Sequence, residues 1–129
     1  MKTPKYRAWI KDKHKMVDVC CLGIIEGKPY IISYGNNPYS WYEFELMEFI
    51  GLKDKKGREI YEGDLVKYTV GDSDPVIDIV CYNKEYACFG LKDDTGDFLY
   101  SFDWILGETK LDDIEIVGNI YENKDLLGE

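Results

Sequence analysis

The sequence predicts a mainly β protein, either all-β or a β-rich α+β chain, on three observations. Short runs of β-branched and aromatic residues recur along its 129 residues, clusters of Gly, Pro, Asn and Asp separate them, and no sustained helical period competes. The first strands are expected over 6–9, 16–22, 30–34 and 40–44, divided by the turn signals Glu26-Gly27-Lys28-Pro29 and Gly35-Asn36-Asn37-Pro38. Residues 40–49 also admit a short helix with Tyr42 and Phe49 among its buried residues.

A strand over 49–52 then closes on Lys53-Asp54-Lys55-Lys56-Gly57, where Gly accepts the positive φ of a turn at least cost. After Ile60 and Tyr61, the step Glu62-Gly63-Asp64 is a second turn, with Asp64 opening a strand over 65–70. Strands follow over 76–82, 87–91 and 98–102, separated by Gly71-Asp72-Ser73-Asp74-Pro75 and Asp93-Asp94-Thr95-Gly96-Asp97. The last, over 114–121, carries Gly118, which marks a bulge or a close approach of backbones. From 64 to 121 this order suggests about five strands curling into a small SH3-like barrel, with the N-terminal β-strands packed on it or paired with it.

Four of these pieces, in order, carry a resemblance: Tyr6-Arg7-Ala8-Trp9, Lys15-Met16-Val17, residues 45–68, and Val117-Gly118-Asn119-Ile120-Tyr121-Glu122-Asn123. They bracket nearly the whole chain, and in them it resembles the YopX family of bacteriophage and prophage proteins. Two positions depart from the family pattern: Ile10 stands where Asp commonly follows the N-terminal aromatic, and Lys124 where Pro commonly follows the final Asn. The resemblance implies a phage-encoded or prophage-encoded cytoplasmic protein of unknown biochemical function, and it carries over no catalytic residue.

Length and composition suit a single domain over 1–129, large enough for one core that buries roughly two thirds of the unfolded surface. The hydrophobic content of 45% and aromatic content of 15% exceed those of disordered chains, and the 32% of charged residues supplies a solvated exterior. No stretch approaches the roughly 20 apolar residues of a membrane span, and no signal-type apolar core follows Met1-Lys2-Thr3-Pro4-Lys5. A cytoplasmic location without membrane contact is the expectation.

Cys20 and Cys21 are adjacent and would face opposite sides of a strand, and Cys81 and Cys88 lack knuckle spacing, so the reading is small buried thiols rather than a metal site. Asp94-Thr95-Gly96 spells the aspartic-protease tripeptide, but charged flanks make it a solvated hairpin tip. The clusters Asp72, Asp74, Asp78 and Asp93, Asp94, Asp97 offer oxygen ligands to a divalent cation, yet neither keeps a calcium-loop register. His14 lies among lysines as a surface residue, and no nucleotide-binding glycine loop is present. No catalytic, cofactor-binding or metal-binding residue is therefore assigned, and no cofactor.

Charge is more informative. Net charge is −9, yet residues 1–70 hold 12 basic and 10 acidic side chains, a balance of +2, while residues 71–129 hold 4 and 15, a balance of −11. The acidic part disfavours nucleic acid as a partner. A basic strip of Lys2, Lys5, Arg7, Lys11, Lys13 and Lys15 with Tyr6 and Trp9 could stack on nucleic acid, although a solvated edge hairpin explains it better. The favoured reading is a noncatalytic binding or adaptor module contacting a host or phage macromolecule, one version being a basic host protein. Its candidate surface comprises Tyr6, Arg7, Trp9, Lys11, Lys13, Asp72, Asp74, Asp93, Asp94 and Asp97. The alternatives are a divalent-metal-dependent enzyme acting on nucleic acid, and a structural homo-oligomer in which the +2 and −11 regions of neighbours meet.

Overall fold

The structure, a computed structural model, describes residues 4–108 and 113–127, so Lys2 of the basic strip lies outside the described residues. The chain divides after Phe49 into two compact units.

In the first unit, β1 (Tyr6–Ile10), β2 (Lys15–Ile25), β3 (Lys28–Ser33), β4 (Asn37–Ser40) and the beginning of β5 (Phe44–Lys53) hydrogen-bond in the order β4-β3-β2-β1-β5. The pairings are antiparallel. Two residues, Glu26 and Gly27, connect β2 to β3, both with positive φ, as the right-handed twist of a tight hairpin requires. Ala8, Ile10, Ile31, Tyr39 and Phe44 form the core, with Val17, Val19 and Leu46 packed against it.

The helix admitted over 40–49 is not found. Residues Trp41–Glu43 make one 3₁₀ turn, the amide of Ser40 donates to Glu43 Oε2 at 2.8 Å, and β5 starts at Phe44. Tyr42 is exposed and Phe49 is buried in a strand. Alternation of Phe44, Leu46 and Glu48 against Glu45, Met47 and Phe49 commits this stretch to a sheet whose faces are both partly covered.

In the second unit, β6 (Glu59–Tyr61) lies beside the latter part of β5. A separate antiparallel sheet has the order β10-β9-β8-β7-β11, built from β7 (Asp64–Tyr68), β8 (Val76–Asn83), β9 (Cys88–Lys92), β10 (Phe98–Ser101) and β11 (Glu115–Asn119). Its core gathers Ile50, Ile60, Val66, Tyr68, Val80, Leu91, Phe102, Ile105 and Ile114. Burying each such aliphatic side chain contributes about 1.5–3 kcal/mol.

The SH3-like barrel expected over 64–121 is not formed. The sheet is open, with β10 and β11 as its opposite edges. The reason lies between those edges, where the chain makes the helix α1 (Phe102–Glu108), which packs against β9 and β10 and buries Phe102 and Ile105 in the core. A helix on one face covers the apolar side of a sheet without any need to roll it closed.

Candidate functional site

The residues of the 45–68 run hold backbone together. Asp54, in the turn between β5 and β6, has its side chain fully buried and accepts five hydrogen bonds. They come from the amides of Lys56, Arg58 and Ile116 and from Nε and Nη2 of Arg58. Arg58 Nη2 also donates to the carbonyl of Ile116 at 2.7 Å, so one ion pair ties the turn to β11. Burial works to raise the pKa of Asp54, but the amides of Ile116, Arg58 and Lys56 and the Arg58 side chain outweigh it and hold the carboxyl below its usual range. Asp64, the first residue of β7, is buried and accepts from the amide of Tyr61.

The C-terminal piece is equally structural. Asn119 Oδ1 accepts from the amides of Tyr121 and Glu122, its Nδ2 donates to Glu122 Oε1, and its own amide donates to Asn123 Oδ1. A Cβ on Gly118 would come within 2.5 Å of Asn123 Oδ1, and the β7–β11 register shifts between Ile116 and Gly118. The bulge at Gly118 is therefore found, but what approaches it closely is the Asn123 side chain and not a second backbone.

One buried polar pair lies inside the second sheet. Tyr68 Oη donates to Asp78 Oδ2 at 2.7 Å. Burial, and the nearby charges of Asp93 and Asp94, raise Asp78 above the ordinary carboxylate range against the lowering effect of the Tyr68 bond. Burial first, then the bond to Asp78, pushes the Tyr68 phenol upward as well. This pair separates Asp78 from the sequence cluster it was read with, because Asp72 and Asp74 stand exposed in the turn before β8.

The second carboxylate cluster is a turn, as its flanks imply. Asp93 accepts from the Thr95 hydroxyl and from the amides of Thr95 and Asp97, and the Thr95 bond foremost keeps its carboxyl below the usual range. Asp94 and Asp97 are exposed beside it. Among the described residues, no three His, Cys, Asp or Glu side chains converge where they could hold a metal ion.

The N-terminal candidates are dispersed into separate contacts. Trp9 is buried and meets His14 edge-to-face, and Tyr6 and Arg7 are half-buried. Lys5 lies over the Phe49 ring, Lys13 over the Tyr39 ring, and Lys11 pairs with Glu45 at 3.6 Å. Lys5 and Lys13 thus line aromatic margins of the sheet, and Lys11 is held by a carboxylate.

The expectation of buried thiols needs correcting. Cys20 and Cys21 are exposed, because the distal part of β2 is largely uncovered, and Cys81 on β8 and Cys88 on β9 are half-buried. Burial raises the Cys81 thiol.

Sequence reasoning also missed the exposed aromatics. In the second unit Tyr82, Tyr86 and Trp104 face water, with Trp104 stacked on Tyr100 at 4.6 Å and Tyr86 beside Phe98. A shallow groove of about 290 Å³ is lined by Cys81, Tyr82, Asn83, Glu85, Lys92 and Phe98, among others. Tyr82 and Cys81 are neighbours on β8 and so face opposite sides of the sheet, a signal in the residues that does not say which side stays wet.

These features define a small antiparallel β protein of two open sheets, whose signature carboxylates and carboxamides serve as internal braces. The chain belongs to the YopX protein family, whose model matches residues 5–128. Among solved structures it is similar to protein EF1440 from Enterococcus faecalis, with a TM-score of 0.64 and 22% identity over 99% of this chain and 100% of that one, a likeness of fold. No curated protein matches it. No helix among the described residues is long and apolar enough to cross a membrane.

Proposed function

We propose that this phage-family chain is a noncatalytic binding module of the host cytoplasm whose acidic C-terminal part engages a basic macromolecule, a host or phage protein. The observation that carries this reading is the inequality between its charged surfaces. Asp72, Asp74, Asp94 and Asp97 stand exposed in turns, within a region of balance −11, whereas Lys5, Lys11 and Lys13 are drawn onto rings and a carboxylate of their own unit. A potential of one sign steers a partner of the other and repels phosphate. Tyr82, Tyr86 and Trp104 add the exposed aromatic side chains that recognition surfaces favour.

The test is capture from host lysate at rising salt, using the wild type and a variant with Asp72, Asp74, Asp94 and Asp97 changed to Asn. A basic protein should be retained stoichiometrically at low salt, released as salt rises, and lost in the variant. Retention of nucleic acid instead, or of no basic protein, overturns the reading. A metal-dependent nuclease has less support, since Asp78 is turned into the sheet while Asp72 and Asp74 face water. Cleavage of labelled DNA or RNA with Mg²⁺ or Mn²⁺ that disappears in the quadruple variant would favour it.

A further inference from the structure

Among the described residues, the exposed large aliphatic side chains of the first unit all lie on β2: Leu22 is 39% exposed, Ile24 74% and Ile25 62%. They sit on an open edge. β1 begins at Tyr6 and pairs with β2 only from Arg7 opposite Asp18 to Ile10 opposite Lys15, whereas β3 pairs with β2 from Val19 to Ile25. Beyond about Cys20, no strand among the described residues lies against the other side of β2. Natural sheets blunt such edges with Lys, Pro or an inward charge. Residues 19–25, Val-Cys-Cys-Leu-Gly-Ile-Ile, contain none of these; a bulge against β3 falls between Val19 and Cys21, and from Cys21 to Ile25 the strand runs in regular register. Backbone donors and acceptors on that side, flanked by β-branched side chains, are in the form that accepts another strand.

Charge selects the strand. Residues 1–49 hold 7 basic and 6 acidic side chains, a balance of +1, and residues 50–129 hold 9 and 19, a balance of −10. Two copies meeting through their acidic parts repel one another, while copies meeting through the first unit do not. A basic partner gains nothing at an uncharged edge. We propose that the outer edge of β2 is a self-association surface, to which a second copy of this chain adds its own β2 antiparallel, merging the two first-unit sheets into one. This goes beyond the basic-partner reading and differs from oligomerisation through opposite charges.

The register follows from symmetry. A twofold axis relating two antiparallel neighbouring strands stands perpendicular to the sheet, so one residue must face its own copy. With Gly23 at the axis, Leu22 faces Ile24 and Cys21 faces Ile25. Centring on Leu22 instead would set Asp18 against Glu26 and bring like charges together. The bare Gly23 position is already filled on its face, because the Tyr30 ring occupies the space a Cβ would need. About six residues per strand make a contact at the small end of specific interfaces, so the dimer depends on concentration.

Sedimentation velocity and light scattering of the full chain over a concentration series test this. The expected result is a monomer–dimer equilibrium that persists or tightens at high salt. Ile24→Lys should raise its dissociation constant at least about tenfold, and Tyr86→Ala, in the second unit, should leave it unchanged. Hydrogen exchange at Leu22 to Ile25 of the wild type should slow as concentration rises, a readout that needs no substitution. A chain that stays monomeric to high-micromolar concentration overturns the proposal, as does exchange there that ignores concentration. A dimer that dissolves in salt, or that survives Ile24→Lys, overturns it equally.

Discussion

The first unit keeps its sheet together around five buried core residues, with lysines along aromatic rings at the margin, and it leaves the aliphatic end of β2 in water. The second gathers nine buried residues into one core cluster, lays a helix over its sheet, and braces its turns with Asp54 and Asn119. The difference teaches where the family signature acts. The motif residues Asp54, Asp64 and Asn119 accept hydrogen bonds inside the second unit, so the signature marks a mechanical frame there. The first unit is described by its strand pairing and packing, and it carries the exposed aliphatic edge of β2.

The strongest way to break that comparison is Asp54→Ala. It strands the amides of Lys56, Arg58 and Ile116 and the Arg58 guanidinium, and should cost about 3 kcal/mol in urea unfolding. Hydrogen exchange should quicken around β6 and β11 before β2 and β3; a loss spread evenly over both units would remove the distinction. The pH dependence has a definite sign. Because folding lowers the Asp54 value, its contribution is present above the ordinary carboxylate value of 3.8 and is lost as pH falls through the folded value. The wild type should lose stability on acidification below about pH 4, and Asp54→Ala should flatten that part of the curve.

A smaller effect is expected at Tyr68→Phe, about 1–2 kcal/mol at neutral pH, because Asp78 loses its buried donor. Asp78 has the opposite sign to Asp54. Its folded value is raised, so its contribution is fully present below the ordinary value and is lost as pH rises through the folded one. The cost of Tyr68→Phe should therefore shrink in acid, measured by urea unfolding at pH 7 and at pH 4. The smallest effect belongs to the first unit. Lys28 lies 4.5 Å from the Trp41 ring centroid, with that ring about half exposed, so Lys28→Ala should shift stability by no more than about 0.5 kcal/mol. A loss as large as that of Asp54→Ala would mean that the first unit too is braced by single contacts.

Much of this was legible in the residues, and the parts that were not share a cause. Alternation and turn chemistry placed β1, β2, β8, β9 and β10 to within a few residues, and Asp64 does open β7. Gly57 adopts the positive φ its turn needs. The barrel was misread because closure depends on which edges pair, a nonlocal choice made by α1. With seven residues α1 is too short to show a helical period, and its Phe102 read as the end of a strand. The three residues of β6 were too few to register as a strand. Burial of Cys20 and Cys21 was misjudged because apolar neighbours predict a covered face only when another element arrives to cover it. The dispersal of Tyr6, Arg7, Trp9, Lys11 and Lys13 has the same origin: a basic run in sequence becomes alternating faces of a hairpin once β1 turns into β2.

The bond from the amide of Ile116 to Asp54 spans 62 residues. During synthesis at about 5–20 residues per second, the Asp54 carboxyl waits some seconds as an ordinary hydrated acid before its last donor exists. The turn can form at once from the amides of Lys56 and Arg58, but its brace to β11 must wait until that strand has been made and released to fold. Until then the growing chain carries the most conspicuous stretch of its family signature without the partner that locks it.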